Sequence, residues 1–430
     1  MCYLWRGCSA RRKCGDFRSE CRPLSPEAIT DSARPRLGRN VFALSAVSFL
    51  TDVSSEMIYP LLPVFLTTVL GANASFIGAI EGAAESTAAL LKLASGWWSD
   101  RIQRRKPLVV LGYTLAAVMR PLVAVATSAT QVLVIRVSDR VGKGIRNAPR
   151  DALLAESVDP SIRGKAYGVH RAADNAGAVV GPLIAFTLLT WHFASLRTVF
   201  WLAAVPGLLG VLVVMFAVKE ISRPAHAPVQ SGPDLTQPLG GLFWRVLVVI
   251  FVFTLGNSTD AFLLLRANQL GVPVALAPIL WAVLHVVKSA SNIPGGALSD
   301  RVGRRPMLIA GWVLYAVVYF GFSRAGAAWQ AWVLFAVYGI FFGLTEGSER
   351  ALIADLVGAE RRGTAFGWYN LAIGFGALPA SLLFGYVWDH SGAPVAFVMG
   401  ATFALAAAVG LIVVTPRRTH AGWQTGVNPG

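Results

Sequence analysis

Ionisable side chains recur inside long apolar stretches of this 430-residue chain. Asp52 and Glu56 stand four residues apart, so a helix puts them on one face. Carboxylates placed this way can take up and release a proton as their surroundings change. Salt-bridged to a base on a neighbouring helix, they are structural instead. Ser54-Ser55-Glu56 is echoed later by Ser258-Thr259-Asp260. Glu81 and Glu85 repeat the i,i+4 spacing, and His285 with Lys288 occupies a later apolar stretch. Histidine titrates near neutral pH, which suits a proton relay, while Lys288 can neutralise an acid. His170, Arg171 and Asp174 fall within one turn. His170 and Asp174 share a face; Arg171 and Asp174 can pair with each other. Arg136, Asp139, Arg140, Lys143 and Arg146 crowd one segment, and Glu346, Glu349 and Arg350 another. There the i,i+4 pairs Asp139–Lys143 and Glu346–Arg350 read as ion pairs that hold one face together.

These side chains need elements to carry them. The chain is 55% hydrophobic and only 14% charged, against about a quarter charged in soluble proteins. Apolar segments lie at about 41–66, 76–98, 107–127, 129–147, 166–190, 198–218, 246–265, 272–295, 306–323, 329–347, 365–387 and 394–415. A bilayer span takes about 20 apolar residues, and backbone groups in lipid must be satisfied within the span, so twelve transmembrane helices are expected. Segments 6, 9 and 12 are nearly free of charge, which marks them as peripheral; Arg120 in segment 3 is an exception. Bases collect after segment 2 (Arg101, Arg104, Arg105, Lys106), after segment 8 (Arg301, Arg304, Arg305), in Arg361-Arg362 and in Arg417-Arg418. The alternate loops are nearly bare. The positive-inside rule then places both termini in the cytoplasm of a multi-pass plasma (inner) membrane protein.

The two halves repeat. Gly96-Trp-Trp-Ser-Asp100-Arg101-Ile-Gln-Arg104-Arg105 returns as Gly296-Ala-Leu-Ser-Asp300-Arg301-Val-Gly-Arg304-Arg305, an offset of 200. Ala152–Glu156 returns as Ala351–Asp355, an offset of 199. The expected organisation is a basic tail over 1–39, a six-helix half over 40–218, a proline-rich cytoplasmic linker over 219–242, a second half over 243–416 and a tail over 417–430. Like-oriented repeats suggest a solute site between the halves near the midplane. The offset also sets His285 opposite Glu85.

At these residues the sequence resembles the major facilitator superfamily. The signature of that family, G-x3-D-[RK]-x-G-[RK]-[RK], fits Gly296–Arg305 in full; the copy at Gly96–Arg105 has Gln103 for the second glycine. The resemblance implies an all-α fold of 12 helices, with these loops acting as gate latches through Asp100 and Asp300. Drug/proton antiporters of the family carry G-x8-G-x3-G-P-x2-G-G in helix 5. Gly168, Gly177, Gly181 and Pro182 match, and Ala185-Phe186 replaces the last pair. Small residues at such spacing also serve simple helix packing. A family arginine within R-x2-Q-G-x-G corresponds to Arg136, with Asp139 and Arg140 in place of Gln and Gly.

The resemblance implies proton-coupled efflux of a small organic solute by alternating access, with a proton symporter importing a small organic ion, nutrient or metal chelate as the competing expectation. The acids of helices 1 and 2 favour a cationic or amphiphilic solute; Arg120, Arg136, Arg171 and Lys288 pull the other way. Neither H-E-x-x-H nor G-x-S-x-G occurs, so no enzyme is expected, nor a cofactor or metal. The net charge of +15 accompanies no basic-aromatic module, which excludes nucleic acid; the partners are solute, protons and lipid, and the protein is taken as a monomer. Cys2, Cys8, Cys14 and Cys21 all lie in the tail and cannot cross-link the body. No apolar run precedes residue 40, so no cleaved signal peptide is expected; the tail reads as disordered or as a start placed too far upstream. Trp281 and Tyr369 fall in cavity-lining helices, where they can stack on a ligand or simply pack.

Overall fold

The computed structural model describes residues 37–101, 104–159, 162–191, 195–221, 238–358 and 361–415. The expectations for the cysteine-bearing tail before residue 37, for most of the linker and for the residues after 415 lie outside it. Twelve helical spans follow one another: α1 (Arg39–Thr68), α2 (Ala74–Arg101), α3 (Lys106–Val125), α4 (Ala129–Glu156), α5 (Arg163–Thr190), α6 (Leu196–Phe216), α7 (Gly241–Gln269), α8 (Val274–Val302), α9 (Arg304–Arg324), α10 (Ala328–Asp355), α11 (Arg362–Ser391) and α12 (Ala393–Val414). Among the described residues ten of these are long and apolar enough to cross a membrane. The other two, α2 and α4, have the length and carry charges at Glu81, Glu85, Arg136, Asp139, Arg140 and Lys143. The chain is a multi-pass membrane protein.

Local chemistry explains where the spans start and stop. Ser128 and Ser195 cap α4 and α6 by accepting from Gln131 N and Thr198 N. Pro107 and Pro394 sit in first turns, where the missing N–H costs nothing. Gly303 joins α8 to α9 at φ 102°, ψ 152°, a conformation that only glycine adopts without strain. That glycine is the one the signature loop demands; its counterpart Gln103 lies outside the described residues.

Several spans are interrupted: α3 ends in a 3-10 segment at Arg120–Val125, α6 breaks at Ala203, and two further breaks, in α1 and α7, bear on the site. In α1 the helix runs Arg39–Ile58, tightens to a 3-10 turn at Tyr59–Leu61 and resumes at Leu62–Thr68. Pro60 in that turn has no N–H to give the preceding turn. In α7 the helix stops at Gly256 and restarts at Ala261. The break frees the carbonyl of Gly256, and the Tyr315 hydroxyl of α9 donates to it at 3.0 Å.

Taken as the two halves that the sequence repeat marks, α1–α6 and α7–α12 pack both within each half and against one another. Within the first, α1 lies on α5 and α6, and α4 on α2 and α3; within the second, α8 lies on α10, and α9 and α7 on α12. The halves meet along α2–α11 and α5–α8 and where the ends of α1 and α7 touch. The α2–α11 seam is close because its glycines lack Cβ. A Cβ on Gly82 would come within 2.9 Å of the Leu378 Cα, and one on Gly374 within 2.7 Å of the Ala89 Cβ. At the end away from the termini, Asp389 accepts from Ala74 N at 2.9 Å and Ser75 N at 2.8 Å. The seam therefore runs from that end as far as Ala89, and the bundle is shut there.

Candidate functional site

The breaks in α1 and α7 face each other. Tyr59 and Thr259, 200 positions apart, bring their hydroxyls to 3.4 Å. One turn before the first break, Glu56 accepts a hydrogen bond from the indole Nε1 of Trp281 in α8 at 2.7 Å. Its other bond is a long one from Ser55 at 3.4 Å, and no base pairs with it among the described residues. Trp281 also contacts Tyr59 and His285, with ring centroids 5.0 Å away in each case. His285 Nε2 is buried without a partner. Trp281 is thus an indole donor to Glu56 as well as a packing ring. In the second half, Asp260 takes a hydrogen bond from the Tyr338 hydroxyl at 2.8 Å. Nothing in local spacing forecasts these cross-helix partners; the 200-residue offset does set Trp281 at the position equivalent to Glu81.

Beneath this junction the first half holds a dense ionic network. Arg136 grips Glu81 through two bonds of 2.9 and 2.6 Å, and both side chains are buried. Arg120 reaches Asp139 at 2.9 Å and the carbonyl of Thr51 at 2.8 Å. Arg136 also lies 3.7 Å from Asp139. Arg140 pairs with Glu85 at 3.0 Å. The expected Asp139–Lys143 pair does not form, because Asp139 turns to arginines of its own helix and of α3. Arg120, the odd charge of an otherwise peripheral helix, is explained by the same contact: it points inward. Glu81, Glu85 and Arg136, which came forward as proton or solute groups, each have a partner in their own half.

A second layer lies nearer the termini. Asp174 of α5 accepts a hydrogen bond from Ser48 of α1. His170 Nε2 is 4.0 Å from Asp174, and neither ring nitrogen has a hydrogen bond. Asp52 is close to this pair, within electrostatic range of Asp174, Glu56 and Lys143, and makes no side-chain hydrogen bond with a described residue. Gly177 and Gly181 create the proximity. A Cβ on either would fall 2.6 Å from a carbonyl of α1, that of Phe49 or of Val53. Gly168, grouped with them by sequence, has nothing within 4 Å and is not a packing position here. Arg171 does not pair with Asp174. It reaches across the halves to Glu346 of α10 at 3.7 Å, beside Lys288 at 3.7 Å and Arg350 at 3.8 Å.

The signature loops tie neighbouring helices. In the first copy, Arg105 pairs with Glu156 at 2.7 Å, and Glu220 accepts from the N–H groups of Arg105 and Lys106 at 3.1 and 3.0 Å. The side chains of Asp100 and Arg101 lie outside the described residues, and Arg104 is exposed. Among the described residues, a Cβ on Gly96 would meet the Ala148 Cβ at 3.6 Å, and one on Gly296 would meet nothing within 4 Å. In the second copy, Arg304 binds Asp300 within the loop and lies 3.8 Å from Asp355 of α10. Arg305 donates to the carbonyl of Ile412 in α12 at 2.8 Å, while Arg301 is exposed.

Comparison with known proteins agrees with this architecture. The family model for the Major Facilitator Superfamily matches residues 44–290 and 246–428. An uncharacterized MFS-type transporter of Methanocaldococcus jannaschii, MJ1317, is 34% identical over 88% of this chain and 95% of its own length. The multidrug resistance protein MdtH of Photorhabdus laumondii is 23% identical over 77% of this chain and 82% of its own. A point mutant of the nucleoside transporter NupG superposes with a TM-score of 0.74 at 15% identity, covering 87% of this chain and all of that one.

Proposed function

The chain belongs to the major facilitator superfamily, and from that premise we propose that it exports a small organic solute in exchange for protons by alternating access. The observation that carries the reading is Glu56. It is a carboxylate within a membrane span, without an ion pair among the described residues, and hydrogen-bonded across the interface between the halves. A carboxylate in such a place is costly, and that cost makes it a candidate for function. Its proton occupancy and the contact between the halves are linked through one bond to Trp281. Asp52, Asp174 and His170 form the accompanying proton path on the α1–α5 face.

The positive-inside rule assigns the terminus-bearing end to the cytoplasm. The closed seam of α2 and α11 then faces outward, and the layer of Asp174 and Glu346 faces the cytoplasm. In the exchange, cytoplasmic solute enters as the acids give up protons inward. The halves rock about the junction of α1 and α7, solute leaves outward, and protons from outside reload the acids. The acid pairs of α1 and α2 suggested a cationic solute. Glu81 and Glu85 are each held by an arginine of α4, which leaves that suggestion resting on α1 alone.

The test is proton movement in proteoliposomes holding an imposed acid-inside gradient, with amphiphilic cations, antibiotics and organic acids added outside. Exchange predicts that one solute class collapses the gradient. Proton flux only when solute and proton start on the same side would replace export by symport.

A further inference from the structure

Glu346 sits among more positive charge than it can balance. Arg171 from α5, Lys288 from α8 and Arg350 from its own helix all point at one carboxylate. Lys92 of α2 is exposed, makes no side-chain hydrogen bond with a described residue, and lies within electrostatic range of Arg171 and Arg350. The nearby acids are otherwise engaged. Asp151 is bound by Arg150 at 2.8 Å, Asp174 by Ser48, and Glu349 by the Tyr369 hydroxyl. Three cations from three helices of both halves thus share Glu346 and the tethered Glu349, an excess of one positive charge, with Lys92 and its neighbour Asp151 beside them.

Three features make this a ligand site. Unbalanced cations need water around them, and the side chains of Arg171 and Arg350 are 60% and 54% exposed. The distances of 3.7–3.8 Å are longer than a charge-assisted hydrogen bond of about 2.7–2.9 Å, so Glu346 is held loosely and can be displaced. The group those bases already surround is itself a carboxylate, whose geometry the guanidinium fork matches.

We infer that this vestibule binds a small organic anion through its carboxylate, which takes the place of Glu346 between Arg171 of one half and Lys288 and Arg350 of the other. The inference deepens the transport reading by naming the class of solute. A bound anion would also draw the halves together at the terminus-bearing end, the movement that alternating access needs there.

The test uses the full chain in lipid nanodiscs, without any gradient, so it is independent of coupling and direction. Cys2, Cys8, Cys14 and Cys21 are replaced by serine, and Gly168→Cys places a thiol in open space one turn from Arg171. The thiol is modified with anionic sulfonatoethyl and cationic trimethylammonioethyl methanethiosulfonates. Relative to the same reagents on a cysteine left in the tail, the anionic reagent is expected to be favoured at least fivefold. Arg171→Gln with Arg350→Gln should abolish that preference. Benzoate and succinate should slow modification by the neutral methyl reagent saturably, and benzylamine should not. A preference for the cationic reagent, equal protection by benzylamine, or no protection by either carboxylate overturns the inference. A protein that passes this test yet moves no protons overturns the exchange mechanism alone.

Discussion

Glu81 and Arg136 show how a charge in a span finds its partner on another helix. Both are buried, and two short hydrogen bonds join them. Removing one partner leaves an uncompensated buried charge, which costs about 3–5 kcal/mol, whereas an apolar replacement of both is tolerated far better. Glu81→Leu or Arg136→Met alone should therefore lower the melting temperature of the purified protein sharply. The double variant should recover most of it. Equal losses in all three would mean that the pair is not an independent unit. Sequence spacing marked both residues but not their bond, because i,i+4 arithmetic sees one helix at a time and this partner lies on another. Arg120 is the same lesson in reverse. It stood out in the sequence as a lone charge on a peripheral helix, and its partners Asp139 and Thr51 become visible only when α3, α4 and α1 are packed. Glu56 was legible as a candidate; its donor Trp281, 225 residues away, was not.

At the scale of elements, ten of the twelve spans follow from apolar length, with glycine and proline as punctuation. The breaks in α1 and α7 are subtler. Pro60 announces the first, whereas the second falls at Asn257–Asp260 and depends on Tyr315 to take up the freed carbonyl. Tyr315→Phe should strand that carbonyl and destabilise α7 by about 1–3 kcal/mol, read as a drop in thermal stability; an unchanged melt would show that water replaces the phenol. The α2–α11 seam depends on missing side chains. Gly82→Leu places atoms where the Leu378 backbone lies, so the closed end should be wedged open. The expected readout is faster labelling of Ser381→Cys by a membrane-impermeant thiol reagent from outside, together with lost transport. Unaltered labelling would mean that the seam adapts. Gly303→Ala should cost about 1–3 kcal/mol from its positive φ alone, whereas Gly168→Ala, inside α5 with open space around it, should stabilise by up to about 1 kcal/mol; a silent Gly303→Ala would show that the loop between α8 and α9 rearranges.

At the scale of the molecule, the repeat of 200 residues was readable before any contact was known, and it carried the division into halves. Which half-to-half contacts exist was not readable, since these depend on the conformation captured. Here the end away from the termini is joined by backbone packing and by Asp389. The other end is bridged by long ion pairs at Glu346. Packed glycines exclude water, while pairs at 3.7–3.8 Å around a partly exposed carboxylate are screened by salt, so the terminus-bearing end is the one poised to part. Glu56 lies between the two, on the bond that joins α1 to α8. The most direct measurement of the account is solute-driven proton movement in proteoliposomes, wild type against Glu56→Gln, with solute binding measured on the same preparations. Exchange through Glu56 predicts that the glutamine variant binds solute and moves no protons. Full pH-dependent flux in that variant would contradict it.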